Sequence, residues 1–448
     1  MNKKNLFVFT LAAILSLILL SAVVVYSFRL QEQTDQSEIN TNVPEPTKAA
    51  SENASDIKAS EKPKSSDNGL PDSLDAGTEQ DPATESDKAS ATDGNIPPKG
   101  AESDLSGSDG SPDSTKPADT TETDPSDFAT EPIILAFTGD INLDENSKPV
   151  SRYDREGKGI LGCISPELVD EMNAADIMML NNEFSYSLRG EPADKSYTFR
   201  AKPERVNILK EMGVDIVSLA NNHALDYGMD ALMDTFTTLE DAEIDYIGAG
   251  DNLNRAKAPI YYTLGDKKIA YLAASRVVFA MDWYATDTRP GMIGTYDPSL
   301  LLEQIREADS NSDYVVVYVH WGVERTNYPV EYQKTLARQY IEAGADAVIG
   351  CHPHVLQGLE FYQGKPIVYS LGNYWFNNTT REAGLLKIYL NPDGSTQVQL
   401  LPTLGEKTYT YLLQDAVDRK AYFSFMKDIS FGVEIDEDGY ITEAKAAE

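Results

Sequence analysis

The hydrophobic pattern along the chain changes character twice. Residues 6–28 are uncharged and largely apolar, residues 30–130 carry almost no large apolar side chains, and from about Glu131 short apolar runs alternate with amphipathic stretches. In this last region Ile133–Phe137, Ile177–Leu180, Val214–Leu219, Lys268–Ala273, Tyr314–Val319, Asp346–Ile349 and Ile367–Ser370 read as strands. Ser165-Pro166-Glu167 opens a helix to about Ala174, with Ser as N-cap and Pro at the first helical position. Further helices are predicted from Lys202-Pro203-Glu204 to Met212, over Gly228–Leu239 and over Val330–Ala343. From about Ala383 the pattern is one of alternating strands with turn signals, and no internal repeat is present. Strands alternating with helices predict an α/β domain over residues 131–448, with a motif-bearing core at about 133–376 and a strand extension at about 383–448.

The two preceding regions have other physical roles. The run Leu6–Phe28 is about 23 residues, enough to cross a hydrocarbon core of about 30 Å. Lys3 and Lys4 precede it, which keeps the N-terminus cytoplasmic and exports everything after Arg29. A cleaved signal peptide would export the same residues, but no clear small-x-small cleavage site follows, so residues 1–29 read as an uncleaved single-pass anchor. Residues 30–130 are rich in Ser, Thr, Asp, Glu and Pro and cannot bury enough apolar surface to offset chain entropy. They read as a disordered acidic tether that holds the main domain away from the membrane.

Charge narrows the partners. Of 448 residues, 72 are acidic and 38 are Lys or Arg, a net charge of −34. The tether accounts for −16 and the α/β region for −21. Such an excess of acid argues against nucleic acid, whose phosphates require Lys and Arg to displace counterions. Two cysteines make neither a disulfide framework nor a Cys-based zinc site. Cys163 and Cys351 could pair in an exported protein, although Cys351 reads better as a small buried residue beside a reactive loop.

The reactive side chains sit where strands end. Asp140 follows the first strand, Asn182 and Glu183 the second, and Asn221, Asn222 and His223 the third. His320, Trp321 and Glu324 follow a later strand, His352 and His354 the next, and Asn373 the last. Open α/β sheets bind ligands outside the carboxyl ends of their strands. The chain has four histidines, and all four occupy these positions. Imidazole and carboxylate are the ligands that manganese, zinc and iron accept. Asp140 or Glu183 could bridge two cations, and Asn222 could offer a carbonyl oxygen. His352 and His354 are separated by one residue, so an extended backbone would turn both rings to one side. Two such cations activate water and clamp phosphoryl oxygens. Arg200, Lys202 and Arg325 are the anion-clamp candidates.

These residues form a pattern. Gly139-Asp140, Asn182-Glu183, Ala220-Asn221-Asn222-His223-x-x-Asp226-x-Gly228, His320-Trp321-Gly322-x-Glu324, Gly350-x-His352-Pro353-His354 and Ser370-Leu371-Gly372-Asn373-Tyr374 together resemble the CapA family of capsule and poly-γ-glutamate synthesis proteins, within the calcineurin-like metallophosphatase superfamily. The resemblance implies a four-layer αββα sandwich with a site for one or two divalent cations. It implies Asp140, Glu183, Asn222, His320, His352 and His354 as metal ligands, and His223 as the residue acting on the leaving group. Asp226 would orient His223 or cap the following helix. Asn142, Asn182, Asn221, Trp321, Glu324 and Asn373 would touch substrate or support the ligands. It also implies an anionic polymer or phosphoester substrate and other capsule-synthesis membrane subunits as partners. Two functions remain open: a metal-dependent hydrolase, or a non-catalytic subunit that binds or exports the polymer. The sequence departs from the superfamily at Asp140-Ile141-Asn142, where many members have Asp-x-His.

Overall fold

The computed structural model describes residues 131–377 and 379–444. The predicted anchor and tether lie outside them. Among the described residues no helix is long and apolar enough to cross a membrane.

The chain begins with β1 (Ile133–Ile141), α1 (Lys148–Glu156), α2 (Pro166–Asn173), β2 (Ile177–Asn182), β3 (Ser185–Tyr186), β4 (Arg200–Ala201), α3 (Val206–Glu211), β5 (Ile216–Ser218), α4 (Gly228–Asp241), β6 (Asp245–Ile247), β7 (Ala249–Gly250) and α5 (Leu253–Lys257). It continues through β8 (Ile260–Leu264), β9 (Lys267–Ser275), β10 (Gly291–Met292), α6 (Ser299–Asp309), β11 (Tyr314–His320), α7 (Glu331–Glu342), β12 (Ala347–Cys351), β13 (Leu356–Tyr362), β14 (Lys365–Leu371) and β15 (Asn373–Trp375). It closes with β16 (Arg381–Leu390), β17 (Thr396–Glu406), β18 (Tyr409–Leu412), α8 (Ala416–Ile429), β19 (Val433–Ile435) and β20 (Tyr440–Glu443).

Two large sheets form an α/β sandwich. The first has the order β19-β20-β17-β16-β1-β2-β5-β6, and the second β13-β14-β12-β11-β9-β8. In each, the central strands are parallel: β1, β2, β5 and β6 in the first, and β14, β12, β11 and β9 in the second. The C-terminal strands are not a separate appendage, because β16 pairs antiparallel with β1 and completes the first sheet. The predicted all-strand C-terminal region also contains a helix. Asp415 caps α8 by accepting from Val417 and Asp418 N–H, and Tyr422, Phe423, Met426 and Ile429 are buried at helical spacing. Helices α1, α5 and α6 also lie outside the predicted set, and α6 buries Leu301, Ile305 and Ala308 on one side.

Strand parity assigns each side chain to a layer. On β9 and β11, Tyr271, Ala273, Tyr314, Val316 and Tyr318 face the first sheet. Their neighbours Leu272, Ala274, Val315, Val317 and Val319 pack outward against Leu301 and Ile305 of α6 and Leu336 and Tyr340 of α7. Between the sheets the Tyr318 hydroxyl donates to the Thr138 carbonyl at 2.7 Å.

The carboxyl end of β1 is pinned against the β14–β15 junction. Asp140 N–H donates to the Gly372 carbonyl at 3.0 Å, and Asp140 is in register with Asn373. A Cβ on Gly139 would lie 1.9 Å from that carbonyl oxygen. Neither partner is a flexible side-chain tip, so the backbone itself would have to move. Gly139→Ala is expected to cost about 3 kcal/mol or more, read as a lower denaturation midpoint, whereas Gly265→Ala on an open turn should cost less. Equal midpoints for Gly139→Ala and the parent would contradict this packing.

Candidate metal centre

The carboxyl ends of the parallel strands bring ten of the sequence-selected residues together: Asp140, Glu183, Asn221, Asn222, His223, Asp226, His320, His352, His354 and Asn373. Asp140 and Glu183 are fully buried, and one residue missing from the sequence-derived set, Asn181, joins them. Asn181 Nδ2 donates to Asp140 Oδ1 at 2.7 Å and lies 3.2 Å from Glu183 Oε2. Parity explains the choice: Asp140 and Asn181 are register neighbours on β1 and β2, whereas Asn182 turns away and donates to the Phe184 carbonyl. Asn221 supports this group from the loop after β5, donating to Asn181 Oδ1 and to the Asn182 carbonyl.

The imidazoles close around Glu183. His223, His320 and His354 place Nε2 at 3.8, 3.8 and 4.0 Å from Glu183 Oε1. Those separations are too long for hydrogen bonds. Two atoms each about 2.1 Å from one ion can lie at most about 4.2 Å apart, so the His320 and His354 distances suit atoms that share a cation with Glu183, whereas His223 enters none of the mutually close ligand sets. Glu183 Oε1 and His352 Nδ1 are buried and have no hydrogen-bond partner. Three overlapping sets have mutually close ligand atoms: Asp140, His320 and Cys351; Glu183, His320 and His352; Asp140, Glu183 and His354. An orphaned carboxylate oxygen beside several imidazole nitrogens fits a divalent cation by the chemistry of its donors.

The His352-Pro353-His354 turn reaches the site by a different backbone route from the extended one expected. His352 has φ 96° and His354 φ 57°, both in the left-handed region that non-glycine residues rarely occupy. The rings still converge, with centroids 5.6 Å apart. His352 N–H donates to Asp140 Oδ2 at 3.1 Å. His354 Nδ1 contacts Asn373 Oδ1 at 2.8 Å, so Asn373 serves as acceptor and leaves Nε2 facing Glu183.

Electrostatics reflect two carboxylates in one buried place. Burial opposes ionisation of Asp140, but the hydrogen bond and charge of His354 outweigh it and hold Asp140 well below the usual carboxylate range. Burial, reinforced by the Asp140 charge, pushes Glu183 well up. Burial also pushes His320 well down and His352 to about 3, each helped by a neighbouring imidazole. For His354 burial is overcome by the Asp140 contact, and its basicity rises. Cation binding would remove this conflict between Asp140 and Glu183.

His223 belongs to a second cluster. Its Nδ1 lies 2.6 Å from Asp226 Oδ2, which also accepts Phe199 N–H at 2.7 Å. Asp226 Oδ1 accepts from Lys195 Nζ at 2.7 Å, and Lys195 also donates to the Asn222 carbonyl at 2.5 Å. Asp226 is thus committed to His223, Lys195 and the Phe199 backbone, not to capping α4. The Phe199 ring lies against His223, with centroids 4.2 Å apart. Lys195 comes from a loop without a motif, and no sequence signal pointed to it. Asn222 Oδ1 meets His320 Nε2 at 2.7 Å, joining the two clusters.

The remaining selected residues lie farther out. Trp321 is not part of the site: one position past His320 it has the opposite parity, so it is buried against Tyr340 and donates to the Tyr369 carbonyl. Asn142 Oδ1 accepts Asp144 N–H at 2.8 Å, so the side chain at the position where the sequence departs from Asp-x-His is already engaged. Glu324 is exposed on a cleft beside His223 and His354. Cys163 and Cys351 are both buried and unpaired, and Cys351 Sγ lies 3.3 Å from His320 Nδ1.

With this arrangement in place, the comparisons define the class. Residues 134–378 match the family model described as bacterial capsule synthesis protein PGA_cap, and the chain belongs to that family, the CapA family of the sequence resemblance. It is 32% identical over 315 residues to "Capsule biosynthesis protein CapA" of Bacillus anthracis, covering 67% of this chain and 75% of that one. It is 32% identical over 323 residues to "PGA biosynthesis protein CapA" of Bacillus subtilis (strain 168), covering 70% and 83%. Among solved structures, a hypothetical protein from Thermus thermophilus is similar at TM-score 0.38 and 17% identity, covering 61% of this chain and 99% of that one. That likeness is too distant to bear on function.

Proposed function

We propose that this chain is a membrane-anchored, extracytoplasmic protein of poly-γ-glutamate capsule biosynthesis whose domain is a divalent-metal hydrolase of metallophosphatase type. The observation that carries the reading is Glu183 Oε1, buried and unpartnered beside the Nε2 atoms of His320 and His354. Asp140, Glu183, Asn222, His320, His352 and His354 would hold the cation or cations. A divalent cation bound there supplies Lewis acidity toward the oxygens of a phosphoryl or acyl group. The chain supplies the rest. Asn181 fixes the two carboxylates by one amide. Asp226 accepts from His223 Nδ1–H and is itself held by Lys195, which leaves Nε2 as the atom that accepts or returns a proton at the scissile bond. The Phe199 ring shields that imidazole from water. The sandwich is compatible with the four-layer metallophosphatase arrangement, and Leu6–Phe28 would serve as the anchor.

The test is metal content and turnover measured together on full-length protein, against phosphoester and γ-glutamyl substrates. His223→Ala should retain metal and lose about 10²–10⁴-fold in turnover. A His223→Ala variant that keeps parental turnover would remove it from the chemistry. A second reading, a non-catalytic subunit that binds or exports the polymer, is favoured by Asn142, whose carbonyl is already engaged where an imidazole would complete a second metal position. Retained metal with no turnover on any of these substrates would favour it.

A further inference from the structure

A domain of charge −21 should repel a polyanion unless a local patch compensates. Most basic side chains around the strand ends cannot supply one. Lys195 is committed to Asp226, Lys202 to Glu145, Arg205 to Glu145 and Asp154, and Arg189 to Asp234. Arg200 lies over the Tyr227 ring and donates to the Arg189 and Gly190 carbonyls. Of the three clamp candidates in the sequence, only Arg325 is left.

Arg325 shares one cleft with Lys148 and Arg381. The cleft holds about 430 Å³ and opens beside His223 and His354. None of the three cations makes an ion pair among the described residues. Each is carried by a different element. Lys148 opens α1 behind the Ser147 cap, Arg381 opens β16, and Arg325 follows β11. Arg325 is held at φ 60°, and its N–H donates to the Pro353 carbonyl at 2.8 Å, which ties it to the turn bearing His352 and His354. A bulky residue at positive φ is strained, and such strain gathers where position matters. Two acids also line the cleft. Asp144 has both oxygens occupied by backbone N–H groups of Asn146 and Arg200, while Glu324 is exposed. The cations therefore outnumber the acids in a domain where acids outnumber bases.

We propose that Lys148, Arg325 and Arg381 form a subsite that binds successive carboxylates of a linear polycarboxylate chain and leads it toward His223 and His354. It rests on the reading above that the ligand is an anionic capsule polymer, and it assigns the residues that overcome the domain's own charge. The cleft has the volume of a small-ligand site, so it takes a short segment of chain. Guanidinium groups pair with carboxylates through two parallel hydrogen bonds, which gives Arg325 and Arg381 the selectivity and leaves Lys148 as a point charge.

The experiment is fluorescence anisotropy of a labelled γ-linked glutamate oligomer with the full-length protein, at low and raised salt. The parent should bind, more weakly as salt rises. The Lys148→Ala/Arg325→Ala/Arg381→Ala variant should lose at least about tenfold in affinity, about 1.4 kcal/mol. Lys420→Ala/Lys427→Ala, at α8 residues that line a separate cleft, should match the parent. Arg325→Gln alone, at an exposed side chain, carries the test should the triple variant fold poorly, and it should weaken binding measurably. Parental affinity in the cleft variants would overturn the subsite while leaving the polymer reading intact. No binding by the parent would overturn both. Inorganic polyphosphate competing as well as the oligomer at equal charge would overturn the assignment to carboxylates.

Discussion

Full-length protein carrying His352→Ala and His354→Ala is expected to emerge from dialysis without the divalent cation that the parent retains. Its affinity for manganese or zinc should be at least about a hundredfold weaker. Loss of a residue that merely supports a ligand typically costs 10–100-fold, and here two imidazoles leave the same turn. Both rings border the orphaned Glu183 oxygen or the Asp140 carboxylate. The fold should survive, because the turn lies past the end of β12 and the sheet register there is set by backbone pairing with β11 and β14. Circular dichroism would test the fold and elemental analysis the metal. Stoichiometric metal in the double variant would place the cation elsewhere. Absence of metal from the parent, before and after titration, would remove the metal reading and leave the polymer-binding one.

Much of this site was legible because strand ends and strand parity are both written in sequence. The run Tyr314–His320 alternates between two cores, and the same count that turns His320 inward turns Trp321 outward. The count also selects Asn181 over Asn182 once β1 and β2 are known to pair in the observed register, which the sequence does not state. Lys195 was illegible for a different reason. Its partners Asn222 and Asp226 lie far along the chain, and its loop carries no periodicity, so only the tertiary fold brings the ammonium to the carboxylate. The His352-Pro353-His354 turn shows the limit of local rules. An extended backbone was the low-energy expectation, and the observed positive φ at both histidines is held by contacts to Asp140 and Asn373. Helix α8 was hidden by its strand-rich surroundings, although Asp415 at its cap was readable.

Glu183→Gln is expected to reverse its effect on stability according to whether a cation is present. Without cation, Glu183 is a buried carboxyl beside the ionised Asp140, with one oxygen unpartnered. Its folded-state pKa is raised well above 4.5, so the neutral carboxyl contributes stability that is fully present below the unfolded value. That contribution declines as pH rises between the unfolded and folded values, because the folded state then binds more protons than the unfolded chain. Glutamine does not titrate. In chelator the variant should therefore melt close to the parent near pH 4 and above it at pH 8, by roughly a few degrees. Saturating manganese should invert the order at pH 8. A cation at a hundred times its dissociation constant stabilises the parent by about 2.7 kcal/mol, and a variant that has exchanged a charged ligand for an amide gains less. A variant less stable than the parent in chelator at pH 8 would mean that Glu183 is satisfied by the protein alone, and the inference that its free oxygen awaits a cation would fail.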